Sequence, residues 1–233
     1  MIAVDLHIHS ALSPCADDDM TPNNITGMAA LKGLDLIAVT DHNTCGQLQA
    51  VVKAAENYGV SVLPGMEVTT REDVHLLCYF PNVDTAVEFG EMVESSLPKV
   101  KNKPAFFGNQ IYYNEMDEVV GSREKLLLVS SKYTLEKLSE MAWERGGIAV
   151  PAHINKGTNS LLPVLGMIPK GLHAPTVEVF GQEELGSLIF GRQVLHSSDA
   201  HQLGAILEPE FHLPLDTADP VLVVEWLRGG YSR

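Results

Sequence analysis

The sequence contains few cysteines, few aromatic residues and few basic residues. Its 233 residues include three cysteines, 6% aromatic residues, and 16 Lys+Arg against 30 Asp+Glu, which gives a formal net charge of −14. Three cysteines without a Cys-x-x-Cys pair cannot build a disulfide framework, so we expect a protein of the reducing cytoplasm. Because an acidic surface repels polyphosphate backbones, long nucleic acids are disfavoured as ligands.

Long apolar runs are missing as well. No run approaches the roughly 18 apolar residues that span a bilayer, and the start MIAVDLHIHS lacks a basic segment followed by an apolar one. We therefore expect a soluble, unprocessed chain without a membrane partner. The 45% of hydrophobic residues suffice for a sizeable core, and barrels of about 200 to 250 residues commonly form one unit. The range 1–233 is thus predicted to be a single domain.

Apolar runs of strand length alternate with helical patterns, which is typical of a parallel α/β fold. Strands are predicted at 2–8, 36–40, 60–63, 66–69, 74–80, 148–152, 176–180 and 193–196. Helices are predicted from Pro22 to Gly33 and at 46–58, 84–97, 135–145 and 220–228. Residues 98–131 do not follow this pattern, and we interpret them as a candidate lid or cap.

Most side chains that can bind metal ions stand at the C-terminal end of an apolar run. They are His7, His9, Asp41, His42, Glu67, His153, Asp199 and His201. Loops that leave the C-terminal ends of parallel strands meet on one face of the fold, so these residues are expected to converge. His7 and His9 are two residues apart on a strand, which directs both rings to the same side, where they can bind one ion.

Several of these residues also have an ordinary structural interpretation. Glu67 follows a Pro-Gly break and could bridge two cations, or could be a solvated loop residue. His75 begins the apolar strand VHLLCYF and could instead be a packed core histidine. Asp5 and Asp41 each precede a histidine closely, so we expect them to hold the far ring nitrogen of a ligand histidine rather than to bind the metal.

Five short motifs, DLHIHS, TDHN, GMEV, PAHI and SSDAH, occur in this order and resemble the polymerase and histidinol phosphatase (PHP) family. The resemblance extends from residue 1 to about residue 204, except in the weak middle segment. It implies a distorted (β/α) barrel of seven strands with a trinuclear metal centre at the C-terminal ends of the strands. It also implies hydrolysis of phosphoesters.

The resemblance further implies a set of metal ligands. The residues that match the first site are His7, His9, Glu67 and Asp199. Those that match the second site are Glu67, as a bridge, His75 and His153. His42 and His201 match the third site.

The remaining ligand of the third site depends on how the loop after the histidine pair is aligned. Anchoring the alignment on the predicted helix start selects Asp17, whereas counting from the histidine pair without a gap selects Cys15. We favour Asp17, a hard oxygen ligand suited to Mn, Fe or Zn. Cys15 would shift the site toward zinc.

Polar residues on the same loops could bind a phosphate oxygen of the substrate. The candidates are Arg71, Asn155 and Lys156, and ordinary surface polarity is at least as good an interpretation of each. The histidines that match no motif are predicted to be structural; they are His173, His196 and His212.

These observations predict a metal-dependent phosphoesterase or phosphatase. Three divalent ions, Mn, Fe or Zn, would lower the pKa of bound water to about 7, and the resulting hydroxide would be held by Glu67, Asp199 and His75. The expected substrate is a small phosphorylated metabolite, a nucleotide or a short oligonucleotide.

Two alternatives are an amidohydrolase, whose barrels also open with His-x-His, and a nonenzymatic metal-binding accessory domain. The TDHN motif and the Asp199/His201 pair agree better with a third metal ion than with the metal site of an amidohydrolase.

Overall fold

The protein is described by a computed structural model in residues 1–181 and 185–230. Its strands are β1 (Ile2–Ile8), β2 (Leu36–Val39), β3 (Ser61–Val62), β4 (Gly65–Thr69), β5 (His75–Tyr79), β6 (Ile111–Tyr113), β7 (Val119–Ser122), β8 (Ile148–Pro151), β9 (Thr176–Glu178), β10 (Gln193–Leu195) and β11 (His212–Leu213). Its helices are α1 (Pro22–Leu31), α2 (Leu48–Glu56), α3 (Val83–Ser96), α4 (Pro104–Phe107), α5 (Leu135–Glu144), α6 (Leu161–Leu165) and α7 (Pro220–Leu227). The predicted α/β class is confirmed, and each strand and helix predicted from the sequence has a counterpart. The predicted single domain also includes residues 182–184 and 231–233, which lie outside the described ranges.

Local capping interactions determine where the longer helices begin. The Thr21 side chain accepts a hydrogen bond from the backbone N–H of Asn24, and Pro22 occupies the first turn, where a missing N–H is harmless. Gly33 follows this helix with a φ of 78°, a left-handed conformation that glycine adopts at low cost. The helix start and stop predicted from the sequence are therefore confirmed.

The strands are divided among several small sheets. β1 pairs in parallel with β2, and β2 with β3, whereas β4, β5 and β8 form an antiparallel sheet. The expectation of parallel strands throughout is wrong for this second sheet. The connection at 70–74 between β4 and β5 is too short for the crossover of a dozen or more residues that parallel neighbours require.

Isolated bridges and single hydrogen bonds connect the sheets. Ile8 bridges Ala200, and His42 bridges Glu67, both in the parallel sense. Ile154, just after β8, donates from its backbone N–H to the carbonyl of Glu178 in β9 at 2.9 Å. Among the described strands no continuous ladder closes these sheets, and the seven-stranded barrel therefore stays a prediction.

The apolar core surrounds the strands that position the polar residues. Val4 and Leu6 of β1 pack with Val223 and Leu227 of α7, and alternation along the strand turns Asp5 and His7 to the opposite side. Each of these β1 residues is buried. Within the described part of the chain, no helix combines the length and the apolar character that crossing a membrane would require.

The segment 98–131 folds into α4 and the hairpin β6–β7 and packs along one side of the molecule. Ile111 donates from its N–H to the carbonyl of Ala11 at 2.9 Å. The Asn43 side chain donates to the carbonyls of Leu127 and Val129. These contacts anchor the segment firmly, and its role as a lid stays a prediction.

Candidate metal centre

A completely buried carboxylate, Glu67, stands at the centre of the polar residues. Its Oε1 atom lies 2.9 Å from His75 Nδ1, 3.2 Å from His153 Nε2 and 3.3 Å from His7 Nε2. Three imidazole nitrogens thus surround one oxygen of the carboxylate.

The second carboxylate oxygen of Glu67 faces a different pair of histidines. Oε2 lies 3.0 Å from His42 Nδ1 and 3.5 Å from His9 Nε2. Both Glu67 Oε2 and His42 Nδ1 are buried, and although they face each other, neither makes a hydrogen bond of suitable geometry. Buried polar atoms without partners are costly, so this pair has the character of a site that a cation completes.

Backbone geometry brings these side chains together from distant parts of the chain. The β4–β5 register pairs Thr69 with His75, so His75 reaches the site from the N-terminal end of its strand because that strand runs antiparallel to β4. His153 and Asp199 have positive φ angles of 27° and 53°. Such strained backbone in non-glycine residues is concentrated at functional sites.

Asp199 faces the two histidines of the first motif. Its Oδ1 atom lies 3.2 Å from His9 Nε2 and 3.3 Å from His7 Nε2. The ligand-capable atoms of these three residues lie within 4.8 Å of one another. Together with Glu67, they are the residues expected at the first ion.

The residues expected at the second ion are also close together. His42, Glu67 and His75 form one group whose ligand-capable atoms lie within 4.8 Å. His153, the expected ligand, is the third imidazole on Oε1 of Glu67. The geometry therefore places His42 as close to this carboxylate as the two histidines that the sequence assigns to it.

A third group of ligand-capable atoms consists of His9, His42 and His201, again within 4.8 Å. Cys15 lines the same cavity as His42 and His201, and these two rings act on the pKa of its thiol. Asp17 has an exposed side chain and contacts His201 through its backbone N–H, which donates to the His201 carbonyl at 2.9 Å. The structure thus brings Cys15 to the two histidines and leaves the Asp17 carboxylate at the surface.

The carboxylates predicted to support the ligand histidines are both buried, but they contact other groups. Asp41 accepts hydrogen bonds from the hydroxyls of Ser10 and Ser13, at 2.6 and 2.7 Å. Ser13 in turn lies 3.1 Å from His9 Nδ1. Asp41 therefore contacts a candidate ligand ring through a serine rather than directly.

Asp5 holds the loop that carries Asp199 rather than an imidazole ring. Its two oxygens accept from the backbone N–H groups of Ser198 and Leu207, each at 3.0 Å. This contact fixes the position of the SSDAH motif relative to β1.

Glu178 makes the direct contact to a candidate ligand ring, and sequence reasoning missed it. Its Oε2 atom lies 3.0 Å from His7 Nδ1 and accepts from the backbone N–H of His153 at 2.7 Å. A glutamate inside the apolar run TVEVF is a signal that could have been used, because Glu is rarely buried unless it is paired.

The clustered charges shift the pKa values of the central groups. Burial would raise the pKa of the Glu67 carboxyl, but His75, His7 and His42 together hold it well below its ordinary value. Burial and the neighbouring His42 lower the pKa of His9. Burial would raise the pKa of the Cys15 thiol, yet His42 and His201 lower it to about 7. Imidazoles, carboxylates and a thiol whose pKa lies close to neutral pH together form a set of donor atoms that fits Zn, Mn or Fe.

The centre opens into a cavity of about 410 Å³. Its wall includes Cys15, His42, Glu67, His75, Leu128, His153, Lys156, Thr158, Asn159, Asp199 and His201. The volume lies within the range of about 300–1,000 Å³ that is usual for small-molecule sites.

The three candidate substrate-binding residues occupy different positions. Lys156 lines the cavity, pairs with Asp199, and stands 4.8 Å above the Phe180 ring. The Asn155 side chain hydrogen-bonds the backbone of Phe180. Arg71 is exposed and lies 3.9 Å from Glu72. The structure therefore brings Lys156 to the cavity and uses Asn155 to fix a neighbouring strand end.

The histidines predicted to be structural make contacts away from the Glu67 cluster. The His173 ring packs edge-on against Trp143 at 4.2 Å, and His196 Nδ1 lies 3.0 Å from the carbonyl of Val179. His212 is exposed in β11. These contacts agree with a structural role.

Comparison with known proteins gives matches that cover the residues of the centre in part. The model of the PHP domain family matches residues 5–155, more than half of the chain. The 3',5'-nucleoside bisphosphate phosphatase of Chromobacterium violaceum is 36% identical over 80 residues, which are 33% of this chain and 27% of that protein. A phosphoribosyl 1,2-cyclic phosphate 1,2-diphosphodiesterase of Eggerthella lenta is 35% identical over 78 residues, 31% of this chain and 29% of that protein.

The fold is also similar to a solved structure. The lesion-specific endonuclease of Pyrococcus furiosus superimposes with a TM-score of 0.68 and 20% sequence identity over 98% of this chain and 56% of the endonuclease chain. At this identity the likeness concerns the fold alone. The matched regions thus cover less than a third of the length of each of the two sequence relatives and about half of the length of the endonuclease.

Proposed function

Because the chain belongs to the PHP domain family, we propose that it hydrolyses a phosphoester bond at a centre of divalent metal ions built around Glu67. The observation that carries the proposal is the division of the Glu67 carboxylate between two groups of imidazoles. A carboxylate that faces imidazoles on both oxygens would be suited to sharing its charge between two ions, as in two-metal hydrolases.

The proposed ligands follow from the groups around Glu67 and Asp199. The first ion would be held by His7, His9, Glu67 and Asp199. The second would be held by Glu67, His75 and His153, with His42 within reach. The third would be held by His42 and His201. Such ions, when bound, supply a nucleophilic water at neutral pH and neutralise charge on the phosphoryl group.

The residues of this chain position and bind the substrate. Lys156, which pairs with Asp199 in the wall of the cavity, would donate from its ammonium group to a phosphate oxygen that does not react. Glu67, Asp199 and His75 would orient the attacking water from the buried side of the cavity. Glu178 would hold the His7 ring in one tautomer through Nδ1.

We propose a small phosphorylated metabolite or nucleotide as the substrate. A cavity of about 410 Å³ suits a group of this size. The named activities of the two sequence relatives, on a nucleoside bisphosphate and on a phosphoribosyl cyclic phosphate, support the same choice. The fold likeness to an endonuclease makes short oligonucleotides the next class to test.

The decisive experiment combines metal analysis with a substrate panel. The purified chain would be loaded with Mn²⁺, Fe²⁺ or Zn²⁺ and assayed with a 3',5'-nucleoside bisphosphate, a cyclic ribose phosphate and a short oligonucleotide. We expect more than one ion per chain and release of phosphate or a phosphorylated product. Stoichiometric metal without hydrolysis would favour the accessory-domain alternative, and hydrolysis of amides alone would favour an amidohydrolase.

The variant Glu67→Gln tests the observation on which the proposal depends. It preserves the shape of the side chain but removes the charge shared by two ions, so we expect loss of at least one ion and of most turnover with the fold retained. Glu88→Gln, at an exposed glutamate of α3, is the matched control. Unchanged metal content and turnover in Glu67→Gln would exclude Glu67 from the centre.

A further inference from the structure

The loop between the histidine pair and α1 presents a thiol to the candidate third ion. Cys15 lines the cavity together with His42 and His201. Cys15 is exposed, whereas Cys45 and Cys78 are buried. The accessible thiol of the described chain is therefore the one beside two candidate ligands.

We propose that the Cys15 thiolate is the remaining ligand of the ion held by His42 and His201. The proposal rests on the proposed function for the metal centre itself. It differs from the expectation of an oxygen ligand at Asp17, because it gives the third ion a sulfur ligand.

Two further observations point to an ion at this place. The ligand-capable atoms of His9, His42 and His201 lie within 4.8 Å of one another, a group to which Cys15 does not itself belong. His42 is 4% exposed, and its Nδ1 atom makes no hydrogen bond. This nitrogen faces the Glu67 carboxylate at 3.0 Å without a hydrogen bond, and a buried donor atom of this kind in a group with two other imidazoles is suited to a cation.

The conformation of the loop explains why Asp17 does not reach the cluster. The N–H groups of Ala16 and Met20 donate to the carbonyls of Ser13 and Asp17, each at 3.0 Å. These turns direct Cys15 to the cavity, while the Asp17 side chain stays exposed. The contact from the Asp17 N–H to the His201 carbonyl at 2.9 Å fixes the two segments in this arrangement.

A thiolate ligand changes the metal preference of this position. On binding, the S–H bond of Cys15 breaks, its proton passes to the solvent, and a sulfur–metal bond forms. Thiolate with two imidazoles favours zinc, whereas the sites with carboxylate oxygens also suit manganese and iron. The third position should therefore retain zinc when manganese occupies the others, and metal should shield the thiol from alkylation.

Cobalt titration tests the sulfur–metal bond directly. With Co²⁺, the wild-type chain should develop a thiolate-to-cobalt charge-transfer absorption in the near ultraviolet, and Cys15→Ser should abolish it. Asp17→Asn should retain the absorption, as should Cys78→Ser, which changes a buried thiol of β5. Retention of the band in Cys15→Ser, or its selective loss in Asp17→Asn, would overturn the proposal.

Metal affinity and thiol reactivity provide two independent measurements. Partners that merely orient metal ligands contribute 10–100-fold in affinity, so loss of a direct ligand in Cys15→Ser should weaken one zinc site by about tenfold or more. Saturating Zn²⁺ should also slow iodoacetamide labelling of Cys15, followed by mass spectrometry. Equal zinc affinity in both proteins, or equal labelling rates with and without zinc, would count against ligation.

These measurements need no turnover, so the two proposals can fail separately. A cobalt band without phosphoester hydrolysis would leave the ligand assignment intact and refute the proposed activity. Hydrolysis without a thiolate band would support the proposed activity and refute Cys15 as a ligand. A wild-type chain that binds no Co²⁺ would overturn both.

Discussion

At the scale of single residues, the His7 ring shows how this centre is held together. One of its nitrogens lies 3.3 Å from both Glu67 Oε1 and Asp199 Oδ1, and the other lies 3.0 Å from Glu178 Oε2. The imidazole is thus fixed between carboxylates on two sides. Glu178 also accepts the backbone N–H of His153, so one buried side chain orients two candidate ligands.

The variant Glu178→Gln should weaken metal binding without removing any ligand. An amide is a poorer acceptor for an N–H donated by His7 Nδ1, and such outer partners contribute 10–100-fold in metal affinity. Competition with a chelator would measure the loss, with the exposed Glu88→Gln as control. Equal affinity in the two variants would mean that Glu178 is a packing residue.

Metal uptake should release protons and should weaken as the pH falls. Burial would lower the pKa of His7 and His42, but the Glu178 and Glu67 carboxylates beside His7, and Cys15 and Glu67 beside His42, raise both values well above the ordinary one. These rings therefore carry protons near pH 7 in the metal-free chain, and an ion must displace them. His9, whose pKa is lowered, should contribute no proton.

Calorimetry of Zn²⁺ binding in two buffers with different heats of ionisation would count the protons released. We expect different apparent enthalpies at pH 7 and lower affinity at pH 6. Identical enthalpies in the two buffers, with pH-independent affinity, would contradict this expectation.

The place of the candidate ligand histidines at or near strand ends predicts that they converge, but the sequence does not reveal what surrounds them. His7, His9 and His42 could be recognised from their place after apolar runs. The contact from Glu178 to His7 joins residues 171 positions apart, which no local pattern encodes. Asp41 was expected beside a ring, and the intervening Ser13 could not be inferred from spacing.

At the scale of elements, turn chemistry and hydrophobic periodicity predict the regular segments, whereas strand direction is less accessible. The Thr21-Pro22 start of α1 follows from local capping. The antiparallel β4–β5 pairing depends on the short 70–74 connection, which could have been read as a sign of a hairpin. Residues 98–131 could not be assigned because their conformation depends on contacts with Ala11, Asn43 and Gln47.

The segment 98–131 also supports the loop that carries Cys15. Gly108 has a φ of 97°, and a Cβ added there would collide with the carbonyl of Pro14. Gly108→Ala should therefore shift the 13–20 loop and destabilise the fold by about 1–3 kcal/mol, as overpacking typically does. Gly121→Ala, in the same segment with no atom within 4 Å of the added Cβ, is the control.

Urea unfolding and metal content of the two glycine variants would be compared. We expect Gly108→Ala to unfold at lower urea and to lose zinc from the third position first. Equal stability and equal metal content in both variants would show that the segment does not support this loop.

At the scale of the whole molecule, the net charge of −14 should select against long polyanions. The positive ions of the proposed centre would attract a phosphate locally, while the surrounding acidic surface repels the rest of a long strand. Salt screens such repulsion over a Debye length of about 10 Å at 0.1 M. The kcat/KM for a long single strand should therefore rise with salt relative to that for a mononucleotide.

Rates at several NaCl concentrations would test this expectation, with the mononucleotide as internal control. A steep fall of the long-strand rate with salt is the behaviour of proteins that bind nucleic acid through a basic surface. That result would show that this chain holds long strands electrostatically despite its net charge.

The hydrogen bonds between Asp5 and the loop of the SSDAH motif have a consequence for biosynthesis. Asp5 accepts from Ser198 across 193 positions of the chain, so the histidine pair leaves the ribosome long before Asp199 does. Until that loop emerges, a nascent chain would lack some of the candidate ligands and would be incompletely folded. Such long-range closure slows folding and would delay the loading of any ion held by both segments until the SSDAH loop has been synthesised.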